Sequence, residues 1–131
     1  MRTAATCSFL ALACLAASAV AEEERKLLTP EQFLERVEGR TIHYSADGEH
    51  YGTERFYGNG RATWQFPAAR CEDGRYWSAG ENICFNYGHT SCWSVFEEGE
   101  NTITATTQDG FTVEVARIDN TPLRCDGSPI S

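Results

Sequence analysis

The chain has 131 residues, six cysteines and a formal net charge of −8, from nineteen acidic and eleven basic residues. This length fits a single domain, and the acidity argues against nucleic-acid binding, which needs clustered Lys and Arg. With three Trp, five Tyr and seven Phe, the chain is too aromatic for a disordered protein.

The first 21 residues have the features of a cleaved export signal. Arg2 is followed by an apolar stretch at residues 9–17 and by the A-x-A motif that ends at Ala21. We therefore expect a signal peptide over residues 1–21 and a single β-rich domain over residues 22–131. Without Arg2, ten basic residues stand against nineteen acidic ones, so the exported chain carries −9.

Export places the protein in the periplasm or outside the cell. The chain has no second apolar run of about 20 residues, so we expect no membrane span after signal cleavage. The alternatives are an uncleaved membrane anchor and lipid attachment at Cys14, which follows a weak lipobox.

One short helix is predicted over residues 30–38. Thr29 is a suitable N-cap, Pro30 occupies the first helical position, and Gln32 completes a capping box with Thr29. Gly39 ends the helix. A helix of about nine residues is too short to be stable alone, so it must pack on another element.

Short strands are predicted from residue 41 to about residue 118, where apolar and polar residues alternate between glycine turns such as Asp47-Gly48. The predicted strands cover residues 41–46, 51–57, 61–66, 75–77, 83–87, 93–96, 102–107 and 111–118. The alternation indicates one dry face and one wet face. We predict a mainly β fold, an antiparallel meander or a small closed or half-closed barrel with one short N-terminal helix.

Four cysteines remain after signal cleavage, and in an oxidising compartment they favour disulfides. Residues 83–87 and 92–96 form a predicted hairpin that sets Cys84 opposite Cys92, close enough for a bridge. This pairing leaves Cys71 with Cys125. Zinc is the alternative, but the sequence has no C-x-x-C pair.

We predict no catalytic residues. His89 near Cys92 resembles a thiol nucleophile with its base, but a disulfide at Cys92 removes that chemistry. Glu97, Glu98 and Glu100 cluster at a predicted turn, where solvated charge is the ordinary explanation and glycoside hydrolysis or calcium binding the alternative.

We also predict no metal and no cofactor. A metal site formed by Glu49, His50 and Glu54, with His43 from the neighbouring strand, is the alternative. It needs a bulge, because residues four apart on a strand are too distant for chelation.

The aromatic residues are the remaining functional signal. Most of them should fill the core of so small a domain, and a few are expected to line a pocket or to contact a partner. The candidate binding residues are Trp64, Trp77, Trp93, Tyr87 and His89.

Several of these residues belong to a recurrent pattern. The pattern comprises Gly60-Arg61-Ala62-x-Trp64, Cys71-x-x-Gly74-x-x-Trp77, Ile83-Cys84-Phe85-x-Tyr87 and Cys92-Trp93. Over about residues 29 to 125 the chain resembles a group of small exported, cysteine-containing proteobacterial proteins of unknown function. The resemblance implies a periplasmic location and a β-rich fold, and it implies no catalytic residues.

The sequence therefore favours an exported, non-enzymatic β-domain that acts as a binding module. Its acidity favours a protein partner with a basic surface, such as a hydrolase. One alternative is a lipocalin-like carrier of a small apolar ligand, which a cavity above about 300 Å³ would favour. The other is a weak hydrolase that uses Glu98 or Glu100 with His89.

Overall fold

The computed structural model describes residues 25–127, and the predicted signal peptide at residues 1–21 lies outside them. The described chain forms one helix and nine strands. In chain order these elements are β1 (Arg25–Leu28), α1 (Pro30–Val37), β2 (Thr41–Ala46), β3 (Glu49–Gly58), β4 (Arg61–Gln65), β5 (Cys71–Ala79), β6 (Asn82–Asn86), β7 (Thr90–Glu98), β8 (Thr102–Thr107) and β9 (Thr112–Asp119).

Strands β2 to β9 form a closed antiparallel barrel. Each strand pairs with the next one along the chain, and β9 returns to pair with β2, so eight strands make a continuous ring. The short strand β1 pairs with the second half of β7, beyond the part that pairs with β6. The predicted mainly β fold with one short helix is confirmed, and of the predicted arrangements, a meander or a closed or half-closed barrel, the structure has the closed barrel.

The alternating side chains divide as the sequence pattern predicts. The buried apolar core inside the barrel includes residues from every one of its strands and from α1. Its members are Leu28, Phe33, Val37, Ile42, Tyr44, Phe56, Ala62, Tyr76, Ile83, Phe85, Val95, Ile103, Ala105 and Val113. Most of the neighbouring polar positions face outward.

Helix α1 covers one end of the barrel, which we call the helix end. The predicted capping box is present, because Thr29 and Gln32 each bond the other's backbone N–H through their side chains. Phe33 is buried and packs edge-on against Phe56, with ring centroids 6.0 Å apart. The backbone N–H of Gly39 donates to the Phe56 carbonyl and anchors the end of the helix to β3.

Two disulfides join the predicted pairs. Cys84 and Cys92 lie opposite each other on β6 and β7, and we call this bond the hairpin disulfide. Cys71 and Cys125 form the tail disulfide, which ties the segment after β9 to the start of β5. Disulfides are typical of oxidising, extracellular compartments.

The segment after β9 covers polar residues on the outer face of the barrel. Gln65 is fully buried there, and its side-chain amide donates to the carbonyl oxygens of Ala69 and Arg124. Thr41 donates from its hydroxyl to the Thr121 carbonyl over 2.7 Å. The outer face of β2 and β4 is therefore dry although its side chains are polar.

Strands β1, β5 and β7 differ most from the sequence-based prediction, and β7 covers Thr90–Glu98 rather than residues 93–96. Residues 25 and 26 lie before the first predicted strand, but they begin β1, where Arg25 pairs with Glu98 across the ladder. Strand β5 begins at Cys71 rather than Arg75, because residues 71–74 pair with β4. In the described part of the chain, no helix has the length and apolar character needed to cross a membrane.

Candidate functional site

The barrel contains a cavity of about 180 Å³ that is partly open to solvent and lies between the packed helix end and the opposite end, which we call the open end. Most of the side chains around it are apolar or aromatic. The lining residues are Phe33, Tyr44, Tyr51, Glu54, Trp64, Phe66, Glu72, Ile83, Phe85, Tyr87, His89, Ser91, Trp93, Val95, Ala105 and Val113. Lys and Arg are absent from this lining.

A carboxyl group lies inside the barrel at the wall of this cavity. Glu54 is in the middle of β3, opposite Ile42 on β2 and Trp64 on β4, and only 4% of its surface is exposed. Burial raises the pKa of Glu54 from 4.5 to about 7, against the opposing effect of two hydrogen bonds. Close to neutral pH this carboxyl therefore exchanges between its neutral and charged forms.

Two tyrosines hold the carboxyl from separate strands. The Tyr44 hydroxyl donates to Oε1 of Glu54 over 2.8 Å, and the Tyr87 hydroxyl donates to Oε2 over 2.6 Å. Burial, followed by the nearby Glu54 charge, raises the pKa of both phenols far above their usual range. Both phenols therefore remain protonated donors, and each carboxyl oxygen retains acceptor capacity for another group.

Two glycines inside the barrel make room for the aromatic walls of the cavity. A Cβ atom on Gly52 would lie 2.2 Å from the Trp64 ring, and one on Gly74 would lie 2.3 Å from the Tyr87 ring. Each ring crosses directly over the strand that carries the glycine. A larger residue at either position would displace the ring into the cavity or out of the barrel.

Five aromatic side chains surround the open end, and we call them the aromatic rim: Tyr51, Trp64, Phe66, Trp93 and Phe111. Their rings form a connected series with centroid distances of 5.3 to 6.0 Å. Two of these apolar rings are exposed to solvent: Phe66 is 44% exposed and Phe111 is 43% exposed. Phe111 was predicted to begin the last strand, but it precedes β9 and packs on Tyr51 and Trp93.

Polar groups complete the lining of the cavity on the side of β5 to β7. Glu72, His89 and Ser91 contribute to it, and the Trp93 indole N–H donates to the Ser91 hydroxyl over 3.1 Å. This bond fixes the orientation of the Trp93 ring. The site therefore combines an apolar interior, two carboxyls and one imidazole.

The structure brings four of the five candidate binding residues together. Trp64, Trp93, Tyr87 and His89 all line the cavity. Trp77 does not, because it pairs with Cys84 on β6 and faces the outside, where it is 41% exposed. These four residues therefore surround one cavity, which is the candidate binding pocket.

The acidic residues considered for hydrolysis lie elsewhere. Glu97 pairs with Arg36, and Glu98 pairs with Arg25, both near the helix end of β7. His89 precedes the other end of this nine-residue strand, so about 30 Å of extended chain separates it from Glu98. An acid and base pair from these residues is not assembled.

The residues considered for a metal site also diverge. His43 lies on the outer face, where its Nε2 is 3.0 Å from the Asp119 carboxylate, whereas Glu54 faces the interior. His50 approaches the Thr53 hydroxyl on the outer face at 3.4 Å. Among residues 25–127, no group of three His, Cys, Asp or Glu side chains is placed to hold a metal ion.

Sequence reasoning missed the role of Glu54, although a signal for it was present. In the predicted strand over residues 51–57, alternation puts Glu54 on the same face as Phe56, which is an obvious core residue. A carboxyl in register with an inward-facing aromatic residue indicates a buried acid. Its partner Tyr44 lies on the adjacent strand β2, but Tyr87 follows the distant strand β6, so only the closed barrel shows the complete group.

Comparison with protein-family models, with curated proteins and with solved structures finds no match to this chain.

Proposed function

We propose that this protein is a binding protein that holds a small, ring-containing molecule inside its barrel. The observation that carries the proposal is the cavity of about 180 Å³ that contains a buried carboxyl held by two tyrosines. A buried ionisable group without a charged partner reduces stability, and such groups concentrate at functional sites.

The size of the cavity restricts the ligand. A volume of about 180 Å³ is below the roughly 300 Å³ at which pockets for drug-sized ligands begin. It is similar to an engineered apolar cavity of about 150 Å³ that binds benzene. The proposal therefore specifies a single ring with a short substituent rather than a fatty acid or another long-chain lipid.

The lining supports a ring-shaped ligand with one polar group. Trp64, Trp93 and Phe85 offer flat aromatic surfaces on several sides, and stacked or edge-to-face contacts between rings are favourable. Glu54 is the polar group within this apolar lining that can fix the orientation of the ligand.

The proposed setting is the periplasm or the extracellular space after signal cleavage. The two disulfides support an oxidising compartment. A protein partner with a basic surface stays a prediction from the net charge, and binding of a small molecule inside the barrel does not exclude such a partner.

The three tryptophans make the proposal directly testable. In a Trp77→Phe protein the remaining tryptophans, Trp64 and Trp93, both line the cavity, so a ligand that enters it must change the fluorescence. We expect saturable changes with single-ring compounds and none with long-chain fatty acids. A matched protein with Trp64→Phe and Trp93→Phe, which keeps Trp77, should show no change.

A filled cavity provides the second arm of this test. Ala105 lines the cavity and is buried, so Ala105→Phe should fill part of the space and weaken binding by tenfold or more. If single-ring compounds leave the fluorescence unchanged, or if the filled variant binds them equally well, the proposed function is wrong.

A further inference from the structure

The charge of the cavity lining indicates which polar group a ligand carries. Two carboxyls line the cavity, Glu54 in its buried interior and Glu72 at an exposed position, and the exposed His89 is the single basic side chain among its lining residues. In the interior, an anionic ligand would meet the buried Glu54 carboxyl without a compensating positive charge. A cationic ligand would form a charge-assisted hydrogen bond with the Glu54 carboxylate, and such a bond is stronger than one between two neutral groups.

The hydrogen-bond donors around Glu54 also favour a cationic ligand. Tyr44 and Tyr87 already use their hydroxyl protons on the two carboxyl oxygens. The remaining lone pairs of these oxygens can accept from additional donors, and a protonated amine supplies up to three. The aromatic walls add favourable cation–π contacts, with Trp the most favourable ring type.

We propose that the ligand of this cavity is a small arylalkylamine, with its amino group on an aliphatic carbon next to a single aromatic ring, that binds as its ammonium form to Glu54 and displaces a proton from it. This inference rests on the proposed function, since it names the ligand class of the same site. The exchange is balanced: the neutral Glu54 carboxyl loses its proton to solvent, and the ammonium group of the ligand pairs with the carboxylate in place of that proton.

Proton displacement makes the binding dependent on pH. The groups that face Glu54 or line the same cavity are the phenols Tyr44, Tyr51 and Tyr87, the carboxyl Glu72 and the imidazole His89. The phenols stay neutral, since burial raises the pKa of all three above its usual value. With the pKa of Glu54 at about 7, amine affinity should fall by about tenfold from pH 8 to pH 6.

Three probes of nearly equal shape and different charge test the inference: benzylamine, benzyl alcohol and benzoate. In the Trp77→Phe protein at pH 8, we expect benzylamine to bind at least tenfold more tightly than benzyl alcohol, and benzoate to bind most weakly. Calorimetry at pH 6 in buffers of different ionisation enthalpy should show release of about 0.9 proton per benzylamine and none with benzyl alcohol.

Variants assign the preference to the buried carboxyl. Glu54→Gln should lower benzylamine affinity at least tenfold and change benzyl alcohol affinity less than threefold. Glu49→Gln, an exposed carboxyl on the same strand, is the matched control and should change neither. His89→Gln should preserve most of the pH dependence, because the inference assigns that dependence to Glu54 and not to this exposed imidazole.

The outcomes separate the inference from the proposed function. Equal binding of benzylamine and benzyl alcohol without proton release would overturn the amine inference and leave the ligand-binding barrel intact. Binding of none of the three probes would overturn both. Proton release is measured on the protein with its carboxyl present, so the inference remains testable if the Glu54→Gln protein does not fold.

Discussion

The buried carboxyl should make the stability of this protein decrease as the pH rises, and Glu54→Gln should remove that dependence. In the unfolded chain the pKa of this carboxyl is 4.5, and in the folded barrel burial raises it to about 7. Between these values the folded state binds a proton that the unfolded state has lost. The free energy of unfolding must therefore fall across this range.

The magnitude follows from the two pKa values. Each pKa unit corresponds to about 1.4 kcal/mol, so a difference of about 2.5 units corresponds to about 3 kcal/mol. This contribution is fully present below about pH 4.5 and is lost as the pH rises through about 7. The amide of Gln fills nearly the same volume, can accept from one phenol and donate to the other, and carries no charge at any pH.

The assay is denaturant unfolding at a series of pH values from 4 to 8, with both disulfides intact. We expect the free energy of unfolding of Glu54→Gln, relative to the original protein, to increase by about 3 kcal/mol across this range. Using the difference cancels the other titrating groups, including His50, whose pKa burial lowers. Glu49→Gln is the control and should give a flat difference.

A flat difference for Glu54→Gln would refute the reasoning. It would mean that the carboxyl is as well solvated in the barrel as in the unfolded chain, and that the cavity does not present a neutral acid. A difference of the opposite sign would mean that the two phenols stabilise the carboxylate by more than burial opposes it. In that case the pKa of Glu54 would lie below 4.5.

Further predictions concern the walls and the frame of the barrel. Gly52→Ala should destabilise the protein by about 1–3 kcal/mol and change the near-ultraviolet circular dichroism of Trp64, because its Cβ would overlap the ring; an unchanged spectrum would contradict this. Replacing Cys71 and Cys125 by Ser should cost about 4 kcal/mol in denaturant unfolding, against about 3 kcal/mol for the hairpin disulfide, and the reverse order would contradict the loop-length argument. Tyr87→Phe should raise the pKa of the buried carboxyl above about 7 in a carbon-13 NMR titration, because the lost hydrogen bond favoured the charged form; a lower pKa would show that this bond does not stabilise the carboxylate.

Local signals in the sequence were sufficient for most of the fold. Turns such as Asp47-Gly48 and the alternation of apolar residues located the strands, and the capping box located the helix. They failed at β1, which has only four residues, two charged and two apolar, and shows no alternation; it pairs because β7 is long enough to extend beyond β6. They also failed at the start of β5, where Asp73 and Gly74 resemble a turn but continue the ladder with β4.

The candidate site was only partly accessible from the sequence. The abundance of aromatic residues indicated a pocket but gave no means of separating Trp77 from Trp64 and Trp93, since each lies in a similar strand. Which ring faces the cavity depends on barrel closure and register. The Tyr44 contact with Glu54 lies within the β2–β3 hairpin, whereas the Tyr87 contact depends on these same long-range pairings, which no local pattern specifies.

The energetics of the barrel indicate why so small a domain carries two disulfides. The buried carboxyl costs about 3 kcal/mol above neutral pH, which is a large fraction of the about 5–15 kcal/mol by which typical domains are stable. The tail and hairpin disulfides contribute about 4 and 3 kcal/mol, which offsets this cost. An amine that pairs with the carboxyl as proposed above would restore part of the lost stability, because it would bind the folded state and not the unfolded chain.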